Sequence, residues 1–208
     1  MDFQPMKYIY KPSGKPAAHT LLLLHGTGGD EADLLPLAQN FGSGLNILSL
    51  RGNVSENGMP RFFKRLGMGV FDEEDLNFRT DEMVHFIKSI ADTEGFDSSK
   101  IIALGYSNGA NIAGAALVKY PDFLAGAILY RPMQPFKKII AESTHNKVPV
   151  FFSSGKLDPT VNPADTNTYV NNLAQLGFTV DFHNLDTGHN LVMDDIKLSA
   201  EWLTKNFN

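Results

Sequence analysis

The sequence contains no cysteine. That absence excludes disulfides, thiolate metal sites and a cysteine nucleophile together, and it fits a reducing compartment. Long apolar runs are missing as well: Leu21–Leu24 stops at His25, whereas a membrane-spanning helix needs about 20 such residues. A positive excess is also lacking. With 18 Lys and Arg against 23 Asp and Glu the formal net charge is −5, which argues against a nucleic-acid partner and against an anionic membrane surface. Met1–Pro5 lacks a basic head followed by an apolar stretch, so no signal peptide is expected and the reading is cytoplasmic. There is no repeat, low-complexity tract or linker. What remains is ordinary globular usage, 43% hydrophobic and 20% charged over 208 residues, which fits a single domain over 1–208.

Apolar periodicity sets the fold class. Leu21–Leu24 reads as a strand buried on both faces. Asp30–Phe41 follows at helical spacing, with Leu34, Leu37, Ala38 and Phe41 on one side. Asp30 and Glu31 sit where the helix dipole favours carboxylates. A strand over Leu45–Leu50 and a long irregular stretch, Arg51–Phe71, come next. Asp72-Glu73-Glu74-Asp75 then opens a helix whose apolar stripe is Leu76, Met83, Ile87 and Ile90, and Gly95 stops it. In the second half, Ile101–Leu104, Phe123–Tyr130, Val148–Phe152 and Phe178–Phe182 read as strands. The intervening helices are Asn108–Tyr120, one from the Asn162 cap and Pro163 to Gly177, and the terminal Leu191–Phe207. Lys7–Tyr10 fits an antiparallel edge strand. Alternation of this kind predicts an α/β fold with a mostly parallel sheet and helices on both faces.

The chemistry concentrates in Gly105-Tyr106-Ser107-Asn108-Gly109, a G-x-S-x-G segment. Chance produces one in roughly 7% of chains this long at average Gly and Ser usage, so placement has to decide. Here it joins a strand to a helix, as a nucleophile elbow requires, and its glycines permit the sharp turn. The alternative is a Gly-rich turn whose serine merely caps the helix. A serine hydroxyl needs a base. Of the six histidines, His189 in Thr187-Gly188-His189-Asn190 lies in the loop after the last strand. His183 is on that strand, His85 in a helix, and His19 and His145 precede strands, at the wrong edge for a parallel sheet. Asp158, after Val148–Phe152, is the acid that orients the base; Asp186 follows the wrong strand and fits a turn. Donors for an oxyanion are expected from the backbone N–H of Asn108 and from His25-Gly26-Thr27-Gly28-Gly29, with Thr27 first and Gly28 second. His25 is expected to brace that loop. A phosphate loop there would need a following Lys-Ser/Thr, which is missing.

Leu24-His25-Gly26-Thr27-Gly28-Gly29-Asp30, the elbow through Ala110, Leu157-Asp158-Pro159 and Gly188-His189 together resemble the bacterial phospholipase/carboxylesterase family of α/β-hydrolases, relatives of the acyl-protein thioesterases. Glu56–Phe63 and Gly69–Asp72 look like its small MhqD/YahD-like branch. The resemblance spans nearly the whole chain. It implies an α/β-hydrolase fold, an esterase or thioesterase without metal or organic cofactor, a triad of Ser107, Asp158 and His189, and oxyanion donors at Thr27 and Asn108. Where the thioesterases carry Leu and Gln, this chain has Thr27 and Asn108, so their substrates do not transfer. The branch's association with quinone stress implies aromatic substrates.

The reading that follows is a carboxylesterase-type serine hydrolase acting on small esters through an acyl-enzyme at Ser107. Thioesterase or lysophospholipase activity is the alternative, as is an idle fold that binds a small molecule. The partner expected is an ester substrate, with no nucleic acid and no membrane; a homodimer stays open. Arg131–Lys147 is too short for a separate helical cap. In Arg51–Phe71, Met59, Phe62, Phe63 and Phe71 either form the loop's own small core or wall a substrate pocket beside Ser107. Arg61, Lys64 and Arg65 there either favour an anionic substrate or form a solvated face.

Overall fold

The computed structural model describes residues 2–67, 69–139, 143–144 and 146–207. The chain enters through strands β1 (Tyr8–Lys11) and β2 (Thr20–Leu24), a short helix α1 (Leu35–Ala38) and strand β3 (Asn46–Leu50). Two antiparallel ribbons follow, β4 (Val54–Glu56) with β5 (Met59–Arg61) and β6 (Arg65–Gly67) with β7 (Val70–Phe71). Helix α2 (Glu73–Glu94) leads to β8 (Ile101–Tyr106), α3 (Asn108–Lys119), β9 (Gly126–Tyr130) and β10 (Pro149–Gly155). Helix α4 (Pro163–Gln175), strand β11 (Thr179–Leu185) and helix α5 (Met193–Phe207) finish the chain.

Seven strands form one sheet in the order β1-β3-β2-β8-β9-β10-β11. All neighbours run parallel except the edge strand β1, which pairs antiparallel with β3, Tyr8 opposite Leu50. Period-two alternation sends successive side chains to opposite faces. Leu22, Leu24 and Ala103 therefore join a core with Leu76, Met83 and Ile87 of α2, Ile112 of α3 and Tyr169 of α4. Leu21, Leu23 and Leu104 join the opposite core with Ala38, Phe41 and Trp202. Each of these strand leucines is fully buried, a contribution of about 2 kcal/mol apiece.

Two expectations are corrected. Asp30–Phe41 is not one helix: it holds turns, then α1, then a 3-10 turn over Gln39–Phe41. Pro36 lies in the first turn of α1, and a helix begun upstream would need the N–H that proline lacks. The two carboxylates expected at its dipole's positive end, Asp30 and Glu31, both pair with Arg51. The stretch Arg51–Phe71 is not irregular either, since it folds into the two ribbons; their strands are too short to show a period in sequence. By contrast, α2 starts and stops on its caps, Asp72 accepting from the Asp75 N–H at 3.1 Å and Gly95 turning left-handed at φ 75°.

Helix α3 is set against β2 by a glycine contact. A Cβ on Gly109 would lie 1.9 Å from the Leu24 carbonyl oxygen, and one on Gly105 would lie 2.5 Å from the Gly109 oxygen. No covalent structure tolerates such contacts without backbone movement. Among the described residues no helical cap stands over the carboxyl edge of the sheet, and no helix is long and apolar enough to cross a membrane. Gly109→Ala is expected to destabilise the fold by about 3 kcal/mol, read as a lowered denaturation midpoint; an unchanged midpoint would contradict the packing described.

Candidate active site

Ser107 sits between β8 and α3 with φ 51° and ψ −111°, a conformation costing about 1–3 kcal/mol for a residue with a Cβ. Its N–H donates to the Tyr130 carbonyl at 2.9 Å, which ties the elbow to the neighbouring strand β9. The side chain makes no capping hydrogen bond to the helix. Instead its Oγ lies 2.9 Å from His189 Nε2.

His189 comes from the loop after β11, and its Nδ1 lies 2.6 Å from Asp158 Oδ2 in the loop after β10. An ionised carboxylate only accepts, so the Nδ1 carries the proton and Nε2 is left to accept from the serine hydroxyl. Burial pushes the Asp158 carboxyl up, but hydrogen bonds from Thr160 and His189 outweigh it and hold it below the usual range. Thr160 donates to Asp158 Oδ1 from both its N–H (2.8 Å) and its hydroxyl (2.6 Å), and its oxygen also lies 2.9 Å from His189 Nδ1. The competing acid, Asp186, is 85% exposed and pairs with Lys156 on the surface. Of the other histidines, His19 and His85 pack on phenylalanines, and His183 stacks on Phe151 beside Asp181. His145 lies outside the described residues.

Arg131, which sequence reasoning passed over, fixes the His189 loop. Its guanidinium donates to the carbonyls on either side of that histidine, Gly188 and Asn190, at 3.1 Å each. The remaining donors reach Asp195 at 2.9 and 2.7 Å and Ser153 Oγ at 2.6 Å. Both members of the Arg131–Asp195 pair have fully buried side chains. The only sequence signal was an arginine directly after an apolar strand. Tyr106 adds a hydroxyl donated to the His189 carbonyl at 3.2 Å.

The loop after β2 brings Thr27 to the same place. His25 braces it from beneath: Nδ1–H donates to the Gly26 carbonyl at 2.6 Å, and Nε2 accepts from the Gly52 N–H at 3.1 Å. Burial lowers the His25 pKa despite that carbonyl and nearby Asp33 and Asp30. The Gly28 N–H is committed to the Pro60 carbonyl at 2.9 Å, so the second choice of oxyanion donor is spent. Arg61, 4% exposed, donates to Thr27 Oγ1 at 2.7 Å and to the Phe63 carbonyl at 3.2 Å. The Asn108 side-chain oxygen accepts from the Phe62 N–H at 2.8 Å.

A cavity of about 410 Å³ opens here, lined among others by Thr27, Arg61, Ser107, Asn108, Thr160 and His189. Phe71 and Met133 connect it with a neighbouring cavity of about 470 Å³ whose wall includes Pro132, Phe136 and Val161. Of the four apolar loop residues, only Phe71 lines these cavities. Phe62 and Phe63 are core, 1% and 0% exposed, because the ribbons turn them under the loop. Met59 is 39% exposed and packs near Gly28. Lys64 faces Asp75 on the surface.

A family model described as Phospholipase/Carboxylesterase matches residues 7–207. The chain belongs to this family. It is 44% identical over 197 residues to the putative hydrolase MhqD of Bacillus subtilis, covering 95% of this chain and 97% of that one. The crystal structure of the Bacillus cereus carboxylesterase matches with a TM-score of 0.94 at 43% identity, over 97% of this chain and 95% of the other. The structure of YahD with malic acid matches at TM-score 0.91 and 30% identity, over 97% and 99%. The chain is thus a carboxylesterase-type hydrolase of α/β-hydrolase fold.

The bracing of this hydrolase's first loop makes a prediction. His25 has its folded-state pKa lowered, so below about 6.5 the unfolded chain takes up a proton that the folded chain resists. The stability His25 contributes is present above that pH and is lost as pH falls from there toward the folded value. The melting temperature is expected to drop between pH 7 and 5, and His25→Gln should flatten that drop. Equal slopes in both proteins would remove His25 from the account.

Proposed function

We propose that the chain hydrolyses small carboxylic esters through an acyl-enzyme at Ser107. The observation that carries this reading is the unbroken line from Ser107 Oγ through His189 to Asp158, 2.9 and 2.6 Å, at the carboxyl edge of the sheet. On this reading His189 Nε2 takes the hydroxyl proton as Oγ bonds to the ester carbon. Negative charge moves to the carbonyl oxygen, where the N–H groups of Thr27 and Asn108 are the proposed donors. The C–O bond then breaks, and His189 returns the proton to the leaving alcohol. Water repeats the sequence on the acyl-enzyme: its proton goes to His189, its oxygen to the carbonyl carbon, and Ser107 leaves as the hydroxyl. Asp158 stays ionised and steadies the imidazolium at each step.

Phe71 and Met133 lead from the cavity beside Ser107 into the neighbouring one, and the apolar Pro132, Phe136 and Val161 on its wall support short acyl groups or small aromatic rings as the part held there. Each buried CH₂ adds only about 0.8 kcal/mol, and the two cavities are of limited volume.

Ser107→Ala and His189→Ala are each expected to lower kcat by about 10⁴- to 10⁶-fold, with the double variant scarcely worse. Asp158→Asn should cost less. Fluorophosphonate labelling should be lost wherever Ser107 is replaced and strongly slowed in His189→Ala, and a normal rate in Ser107→Ala would end the serine mechanism. Across p-nitrophenyl acetate, butyrate, octanoate and palmitate, kcat/KM should peak among the short esters. A steady rise to palmitate would instead indicate a long apolar tunnel.

A further inference from the structure

The wall of the cavity beside Ser107 is unbalanced in its chemistry. Arg61, Arg65 and Arg131 all line it, together with Asn108 and Asn111, and among the described residues no aspartate or glutamate does. The acids that hold the arginines stand behind them. Glu56 reaches Arg61 at 3.3 Å and Arg65 at 2.9 Å, and Asp195 takes Arg131. Arg131 has every donor committed, so it supplies charge and no free hydrogen bond.

Arg61 differs. Its Nε donates to the Phe63 carbonyl and its Nη1 to Thr27 while facing Glu56 as an ion pair, whereas its Nη2 meets no acceptor among the described residues. The side chain is nevertheless 96% removed from solvent, being 4% exposed. Asn108 and Asn111 repeat the pattern. Their carbonyl oxygens accept from the Phe62 and Met133 N–H groups at 2.8 and 2.7 Å, which fixes each amide's orientation. Asn108 Nδ2 is then a buried donor with no partner, and Nδ2 of Asn111, a residue of the cavity wall, meets no protein acceptor among the described residues. The unpaired buried donor of Asn108 costs on the order of 1–3 kcal/mol. Such a cost is removed by a ligand that accepts and does not donate. A cationic guanidinium N–H with flanking amide donors matches a carboxylate, which is anionic and only accepts.

We propose that the substrate is a short ester that itself carries a carboxylate, bound by Arg61 with Asn108 and Asn111 while its ester carbon lies at Ser107. This rests on the ester-hydrolase reading above and names the substrate class for the same site. The neighbouring cavity beyond Phe71 and Met133, where Pro132, Phe136 and Val161 stand beside Glu73 and Asp165, then receives the rest of the molecule. A neutral lipid ester leaves the donors unmet, and a cationic ester meets three arginines.

The test compares each anionic ester with its methyl-capped neutral twin. One pair, p-nitrophenyl hemiglutarate and p-nitrophenyl methyl glutarate, carries the charge on the acyl side. The other, 4-acetoxybenzoate and methyl 4-acetoxybenzoate, carries it on the leaving group. In at least one pair the anionic ester is expected to show a kcat/KM at least tenfold above its twin. Arg61→Gln should cut that ratio at least fivefold. Because Arg61 also braces Thr27, Asn111→Leu is the second variant, and it too should lower the ratio. Neutral twins turned over as fast as or faster than the anions in both pairs would overturn the proposal and leave the esterase intact. A ratio unmoved in both variants would overturn it as well. If no ester in either pair is turned over by folded protein, the hydrolase reading falls, and this one with it.

Discussion

The whole site depends on how closely two stretches of backbone approach. Helix α3 reaches the sheet with Gly109 against the Leu24 carbonyl, at a distance no Cβ could share. That contact seats the helix, and seating it forces Ser107 into its positive φ at the end of β8. Strain at one residue of about 1–3 kcal/mol persists because its surroundings over-determine it: the Ser107 N–H is tied to β9, and the strand beneath is buried from Ile101 to Gly105. The same contact brings the end of β2, and hence Thr27, alongside the elbow. Ser107 and the Thr27 loop are placed by one piece of packing.

The other half of the site is held by charge. The Arg131–Asp195 pair joins the end of β9 to the start of α5 and clasps the His189 loop between them. Burying two ions costs several kcal/mol that their attraction need not return, so stability is a weak account of this pair. Geometry is a stronger one. Five donors in a rigid plane fix two carbonyls, a carboxylate and a hydroxyl at once, and a rotating lysine could not do so. The histidine then meets Ser107 without depending on the mobility of its own loop.

The legible parts of the molecule were those governed by local rules. Alternation of strand and helix, the Asp72 cap and Gly95 stop, and the order of Ser107, Asp158 and His189 all follow from near neighbours and from which edge of a parallel sheet a loop leaves. Less legible was anything decided at a distance. The helix pattern of Asp30–Phe41 was overruled by Pro36 and by the pull of Arg51 on Asp30 and Glu31. In Arg51–Phe71, four large apolar residues gave no sign that Phe62 and Phe63 turn inward and Phe71 toward the cavity. Arg131 was invisible as a site residue because an isolated arginine has no period, whereas Arg61 stood among three basic residues that could equally have formed a solvated face. Thr160 left a trace, since a threonine two residues after an aspartate can close a turn on it.

A chain of net charge −5 has arranged its charges around the site in rows. Carboxylates Glu56 and Asp195 stand in the back row, each holding a guanidinium that faces the cavity. Asp158 plays the same part behind His189. An acid placed behind a donor fixes it in position and still leaves positive potential at the front. Ester cleavage on the proposed route develops negative charge at the carbonyl oxygen, in a recess where fixed dipoles are worth more than water. Donors and cations held rigid from behind need no reorganisation when that charge appears. The same preorganisation that would serve the transition state of any ester also leaves donors that the protein itself does not pair, and beside three arginines such donors favour an anionic acceptor over a neutral group of its size.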